Sequence, residues 1–138
     1  MHLQSIPLRH ILFLDTETVP LSPDYKKLDK IDQKLWDKKA QWLGDKEDSA
    51  AEKYNRAGIY AEFGKIVCIT IGMVDEKTKS IKLKSFSGDD EKRLLVEFSH
   101  FLSTKHNYVG AILCGHNAKE FDFPFISRRM LVHGIPLP

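Results

Sequence analysis

Leu12–Pro20, LFLDTETVP, is a short apolar run that ends in two carboxylates one residue apart, Asp15 and Glu17. In an extended strand side chains alternate between faces, so residues two apart project to the same side and these acids meet there. Two like charges held that close are costly unless a proton or a cation lies between them, which makes a divalent metal ion the natural candidate. A plainer reading leaves both acids solvated just past a strand end. The run that leads into them, Ile6–Leu14 (IPLRHILFL), has a β-branched and aromatic core and reads as a first strand buried on both faces.

After this strand Pro20 and Pro23 break the backbone, and Tyr25–Arg56 is dense in both signs of charge around a thin apolar set. Leu28, Ile31, Leu35, Trp36, Trp42 and Leu43 recur at helical spacings, which predicts an amphipathic helix stopped by Gly44 with this stripe against the body. A second, shorter helix is expected over Asp48–Asn55. The whole stretch, about residues 21–58, reads as a charged helical insertion, either a solvated two-helix excursion or a substrate-contacting lid. Its lysines, Lys26, Lys27, Lys30, Lys34, Lys38 and Lys39, alternate with acids, which predicts a salt-bridged helix more than a nucleic-acid patch.

From Gly64 the pattern returns to strands. Lys65–Val74 (KIVCITIGMV) is nearly continuous apolar sequence, and Ser80–Phe86 (SIKLKSF) alternates Ile81, Leu83 and Phe86 with polar residues. With DEKTK as the turn they form an antiparallel hairpin, the first strand central and the second an edge protected by its lysines. Ser87-Gly88-Asp89-Asp90 caps a helix to about Lys105 whose apolar face holds Leu94, Leu95, Phe98, Phe101 and Leu102. Val109–Cys114 is a short buried strand, Gly115–Glu120 a loop, and Phe121–Val132 a helix that tolerates Pro124 in its first turn before Gly134 and Pro136 end it. A helical crossover makes the last strand a parallel neighbour of the first, so its carboxyl end brings Asn117 and Asp122 to Asp15 and Glu17.

Composition bounds the rest. With 138 residues, 42% apolar and 29% charged, the chain has material for one domain over 1–138 and too little for two. A net charge of +2 permits an anionic partner through local patches without demanding one. Cys68 and Cys114 sit in apolar runs and read as small core residues, without disulfide or zinc spacing, in a reducing compartment. No segment is apolar enough for secretion or membrane insertion, so a cytoplasmic protein without a membrane partner is expected, of undetermined oligomeric state.

DTET followed by GHNAKEFDFPFI resembles the first two motifs of the DEDD 3′-5′ exonucleases, a ribonuclease H-like superfamily. The Asn-x-x-x-Phe-Asp form of the second motif, with EFGKIVCITIG between the two, most resembles free-standing exonucleases related to family B polymerase proofreading domains. The resemblance implies an α/β fold with a ribonuclease H-like mixed sheet, its first three strands antiparallel, its fourth parallel to the first, and helices flanking it. It implies hydrolysis of phosphodiester bonds at single-stranded or 3′ DNA ends by a two-metal mechanism. Asp15, Glu17 and Asp122 match the metal-binding carboxylates: Asp15 would bridge both ions, Glu17 would hold the ion that activates water, and Asp122 the one at the leaving group. Thr16, Thr18, His116, Asn117 and Phe121 fall on positions beside the substrate. Oxygen ligands suit two Mg²⁺ or Mn²⁺ ions, and no His and Cys cluster favours zinc.

Two readings compete with a DNA exonuclease: a non-catalytic nucleic-acid-binding or interaction module of the same fold, and a 3′-5′ exoribonuclease, from which no residue separates it. Members of the family carry a third motif with a fourth carboxylate preceded by Tyr or His, whereas here no Asp, Glu or Tyr follows Asp122. The chain therefore reads as carboxy-terminally truncated, with weak metal binding and little or no nuclease activity expected of it. Elsewhere, Asp122 has an alternative role as a first-turn carboxylate favouring the helix dipole. His116 reads equally as a loop histidine making a local hydrogen bond, Arg128 and Arg129 as a solvated helix face before phosphate contacts, and Phe63, Phe123 and Phe125 as core before stacking platforms.

Overall fold

Pro7 has a fixed φ and no N–H to give a sheet, and its carbonyl accepts from the His10 N–H at 2.9 Å, closing a 3₁₀ turn at Leu8–His10. The first strand, β1, therefore spans Ile11–Pro20 in the computed structural model, starting later than Ile6 and continuing through DTET to Pro20. The structure describes residues 6–44, 47–105 and 111–138. They form two compact units, residues 1–17 with 66–138 and residues 18–65, and the division falls within β1 and β2.

In the first unit β2 (Gly64–Asp75) and β3 (Ser80–Ser87) pair antiparallel from Cys68 with Ser87 to Asp75 with Ser80, the hairpin that the alternation predicts. Helix α3 (Glu91–Lys105) carries the chain to β4 (Ile112–Cys114), which runs parallel to β1 with Ile11 beside Ile112 and Phe13 beside Cys114. The sheet order is β3-β2-β1-β4, so the fold is α/β with a four-stranded mixed sheet and flanking helices, as expected. Of the expected strand Val109–Cys114, residues 109 and 110 lie outside the described residues. Helix α4 (Asp122–Val132) keeps Pro124 in its first turn, where no intrahelical N–H is needed, and ends before Gly134 at φ +67°.

One face of this sheet is covered and the other is open. Leu12 and Leu14 are buried, and Leu14 lines a common cavity with Phe98 of α3 and with Ile126 and Met130 of α4. Phe86 stacks edge-on against Phe98 and Phe101, with ring centroids 5.8 and 5.5 Å apart. Residues of opposite parity face outward: Phe13 is 40% exposed, Ile81 70% and Leu83 71%. The expectation that β1 is buried on both faces is thus corrected. Both helices pack on the Leu12, Leu14 and Phe86 side, so β1 follows the one-sided alternation of a half-covered sheet. Cys114, paired with Phe13 on that outward side, is exposed and not a core residue.

The second unit has its own core. Helix α1 (Lys30–Ala40) is capped by the Asp29 carboxylate, which accepts from the N–H groups of Ile31 and Asp32, both at 2.8 Å. Helix α2 (Ala50–Lys53) starts with a capping box of Ser49 and Glu52 and continues as a 3₁₀ segment, Tyr54–Ile59. Trp36, Ala40, Tyr54, Ala57 and Phe63 form the buried cluster. The Trp36 ring meets Tyr54 and Phe63 edge-on at 5.3 and 5.1 Å, and its Nε1–H donates to the Ala50 carbonyl at 2.7 Å. The expected stripe is corrected here too: Leu28 and Leu43 pack at the margin of the cluster, but Ile31, Leu35 and Trp42 are 70%, 50% and 86% exposed. Among the described residues no helix is long and apolar enough to cross a membrane.

Candidate functional site

The parallel pairing of β1 and β4 sets the two motifs side by side at the same strand end. Gly115, the first residue after β4, passes so close to β1 that a Cβ on it would lie 2.6 Å from the Leu14 carbonyl oxygen and 2.7 Å from the Ala118 Cβ. Only glycine fits that approach, and it presses the second motif against the residue before Asp15. Asn117 then takes φ +52°, a left-handed conformation that asparagine tolerates better than most residues, and its carbonyl accepts from the N–H groups of Glu120 and Phe121. The reversed chain drops Ala118 into the core and delivers Asp122 as the first residue of α4.

Along β1 the first three residues of the DTET motif divide between the faces. Asp15 and Glu17 share the exposed side, as the alternation predicts, while Thr16 lies on the covered side at 8% exposure. Asp122, 4% exposed, also lies on the covered side, where the Thr16 hydroxyl donates to its Oδ1. One motif is therefore hydrogen-bonded to the other through Thr16 and Asp122, not through the acid pair. Asp122 also faces the positive end of the α4 dipole, the alternative role considered for it. Among the described residues no three His, Cys, Asp or Glu side chains gather to hold an ion. The Asp15 and Glu17 oxygens are hard donors on one face and fit a divalent cation as a pair, with Asp122 turned toward Thr16.

On the outward side Asp15 and His116 line a groove of about 480 Å³ with Phe13, Thr70, Gly72, Leu83, Cys114 and others. His116 and Asn117 are exposed. Phe121 is half-buried, its ring 5.5 Å from that of Phe125. Thr18 is half-buried and belongs to the second unit. Phe63 and Phe125 are core residues, at 8% and 3% exposure, as expected, and Phe123 lines the apolar cavity beside Leu14.

A second polar cluster escapes reading from sequence. Glu91, at the start of α3, is 6% exposed and accepts from four groups: Arg129 Nε and the Arg129 terminal nitrogen at 2.6 Å, His133 Nε2 at 2.7 Å and the Ile66 N–H at 2.7 Å. Burial pushes the Glu91 carboxyl up, but the hydrogen bonds from Arg129, His133 and Ile66 outweigh it and hold its pKa below the ordinary value. Arg129, expected on a solvated face or at a phosphate, is instead 5% exposed and ties α4 to α3, while Arg128 is exposed. The signal was the i, i+4 spacing of Arg129 and His133 on one face of α4, opposite an acid in the first turn of α3. The chain matches no protein-family model, no curated protein and no solved structure.

Proposed function

We propose that the chain carries the first two motifs of a ribonuclease H-like, metal-dependent 3′-5′ exonuclease that hydrolyses phosphodiester bonds at DNA ends. The observation that carries this reading is the meeting of DTET and GHNAKEFD, about a hundred residues apart in the chain, at one end of a parallel strand pair. Open α/β sheets bind their ligands outside the carboxyl ends of such strands. Asp15 and Glu17 would hold Mg²⁺ or Mn²⁺, and Asp122 enters as the third carboxylate that the resemblance implies, with Oδ1 already held by Thr16. Bound ions of this kind activate water and stabilise charge on the leaving oxygen. The chain's own residues supply the frame: Gly115 sets the spacing of the motifs, Asn117 turns the loop, and Thr16 positions Asp122.

The burial of Asp122 favours a second reading, a nucleic-acid-binding module of the same fold without catalysis, since that acid has a structural task. A 3′-labelled single strand, incubated with the chain in Mn²⁺ or in chelator, separates the two. The exonuclease reading expects weak Mn²⁺ binding that Asp15→Asn removes, with little turnover from residues 1–138. Strand binding indifferent to chelator, with no Mn²⁺ bound at Asp15 and Glu17, selects the module. Robust Mn²⁺-dependent cleavage abolished by Asp15→Asn would refute the expectation of low activity while upholding the enzyme class.

A further inference from the structure

Helix α1 sorts its charges by face. The residues of α1 and the turn after it that face solvent are Lys30, Ile31, Lys34, Leu35, Lys38, Gln41 and Trp42, and none of them is acidic. Ile31, Lys34, Leu35, Lys38 and Trp42 follow the i, i+3, i+4, i+7, i+11 spacing of a single helical face. The acids of α1 and its N-cap are turned away or occupied, and the next exposed acids among the described residues, Glu47 and Asp48, follow the turn after Trp42. Asp29 caps the helix, Asp37 accepts the Tyr25 hydroxyl at 2.7 Å, and Asp32 and Asp37 are half-buried. Among the described residues no lysine of α1 forms an ion pair, so the expected salt-bridged surface is not what the fold builds.

We propose that this face, with Trp42 as a stacking platform and Lys34 and Lys38 beside it, is a binding surface for single-stranded nucleic acid. A tryptophan 86% exposed beside unpaired cations has the two elements that sequence-tolerant strand binding uses, a flat π-face for a base and positive charge along the backbone. From Ile31 to Trp42 the face is about 16 Å long at 1.5 Å per residue, enough for a few nucleotides. Lys30, Lys34 and Lys38 recur every four residues along one edge of the Ile31, Leu35 and Trp42 stripe, so a row of positive charge runs beside the ring. The surface lies wholly within residues 18–65 and uses none of the carboxylates of the proposed exonuclease.

The test is titration of the full chain with a fluorescent oligothymidylate, read by anisotropy and by tryptophan emission. The chain has two tryptophans, and Trp36, fully buried, serves as the reference that a bound strand leaves unquenched. Trp42→Ala is expected to weaken binding by about 5- to 150-fold with an unchanged circular dichroism spectrum. Lys34→Gln with Lys38→Gln should lower the slope of log affinity against log salt by about 1.4. Binding that persists in chelator and in Asp15→Asn, yet falls in Trp42→Ala, supports this surface whether or not the chain ever cleaves DNA. Unchanged affinity in Trp42→Ala would overturn it. So would a blue shift of Trp42 on phosphatidylserine vesicles with no response to the oligonucleotide.

Discussion

Two groups of acids in the first unit are treated oppositely by the fold. Glu91 is buried with its countercharge built in, held by Arg129, His133 and the Ile66 N–H. Asp15 and Glu17 face outward from β1, and among the described residues neither forms an ion pair. An acid that arrives with its cation is part of the scaffold. The pair left open on one face is the place we propose for an external cation.

Removing a partner from the Glu91 cluster should have the largest effect on stability. Arg129→Met leaves a buried carboxylate short of its main countercharge and is expected to cost about 3–5 kcal/mol in urea denaturation. If Arg129→Met unfolds at the wild-type midpoint, the cluster is not structural and the contrast with Asp15 and Glu17 disappears. Gly115→Ala comes next, since its Cβ would meet the Leu14 carbonyl at 2.6 Å. Overpacking of this kind costs about 1–3 kcal/mol, and the motifs should be pushed apart, seen as shifted amide resonances at Asp15 and Thr16.

The pH dependence sharpens the same contrast. The pKa of Glu91 is lowered from 4.5, so its contribution is fully present above that value and is lost as pH falls through its lower folded-state pKa. A thermal midpoint that falls with acid below about pH 4.5 in the wild type, and falls less in Glu91→Gln, is the expected pattern. The smallest effect on stability belongs to Asp15→Asn, which removes one of two like charges and should leave the midpoint unchanged or slightly higher while removing the metal affinity proposed for the pair.

Much of the sheet was legible from sequence because alternation and turn chemistry are local. SIKLKSF, DEKTK and Pro124 each announce their element without help from distant residues. The faces were less legible, because which side of a strand is covered depends on where α3 and α4 pack. Ile81 and Leu83 share the apolar alternation of their strand with Phe86 yet face solvent with Phe13, whereas Thr16, expected beside the substrate, is buried on Asp122. Helix α1 repeats the lesson: Leu35 and Trp36 are neighbours in sequence, and only Trp36 enters the core, because Tyr54 and Phe63 approach from that side. Within the site, the same-side placement of Asp15 and Glu17 followed from strand geometry alone. The tie between Thr16 and Asp122 required the tertiary meeting of β1 with α4.

Paramagnetic broadening by Mn²⁺, followed residue by residue in the amide spectrum, bears most directly on the claim that the open acid pair is a metal site. Broadening centred on Asp15, Thr16 and Glu17, absent in the Asp15→Asn, Glu17→Gln double variant and with Glu91 untouched, is the predicted result. No broadening at these residues, or broadening that the double variant retains, would contradict it.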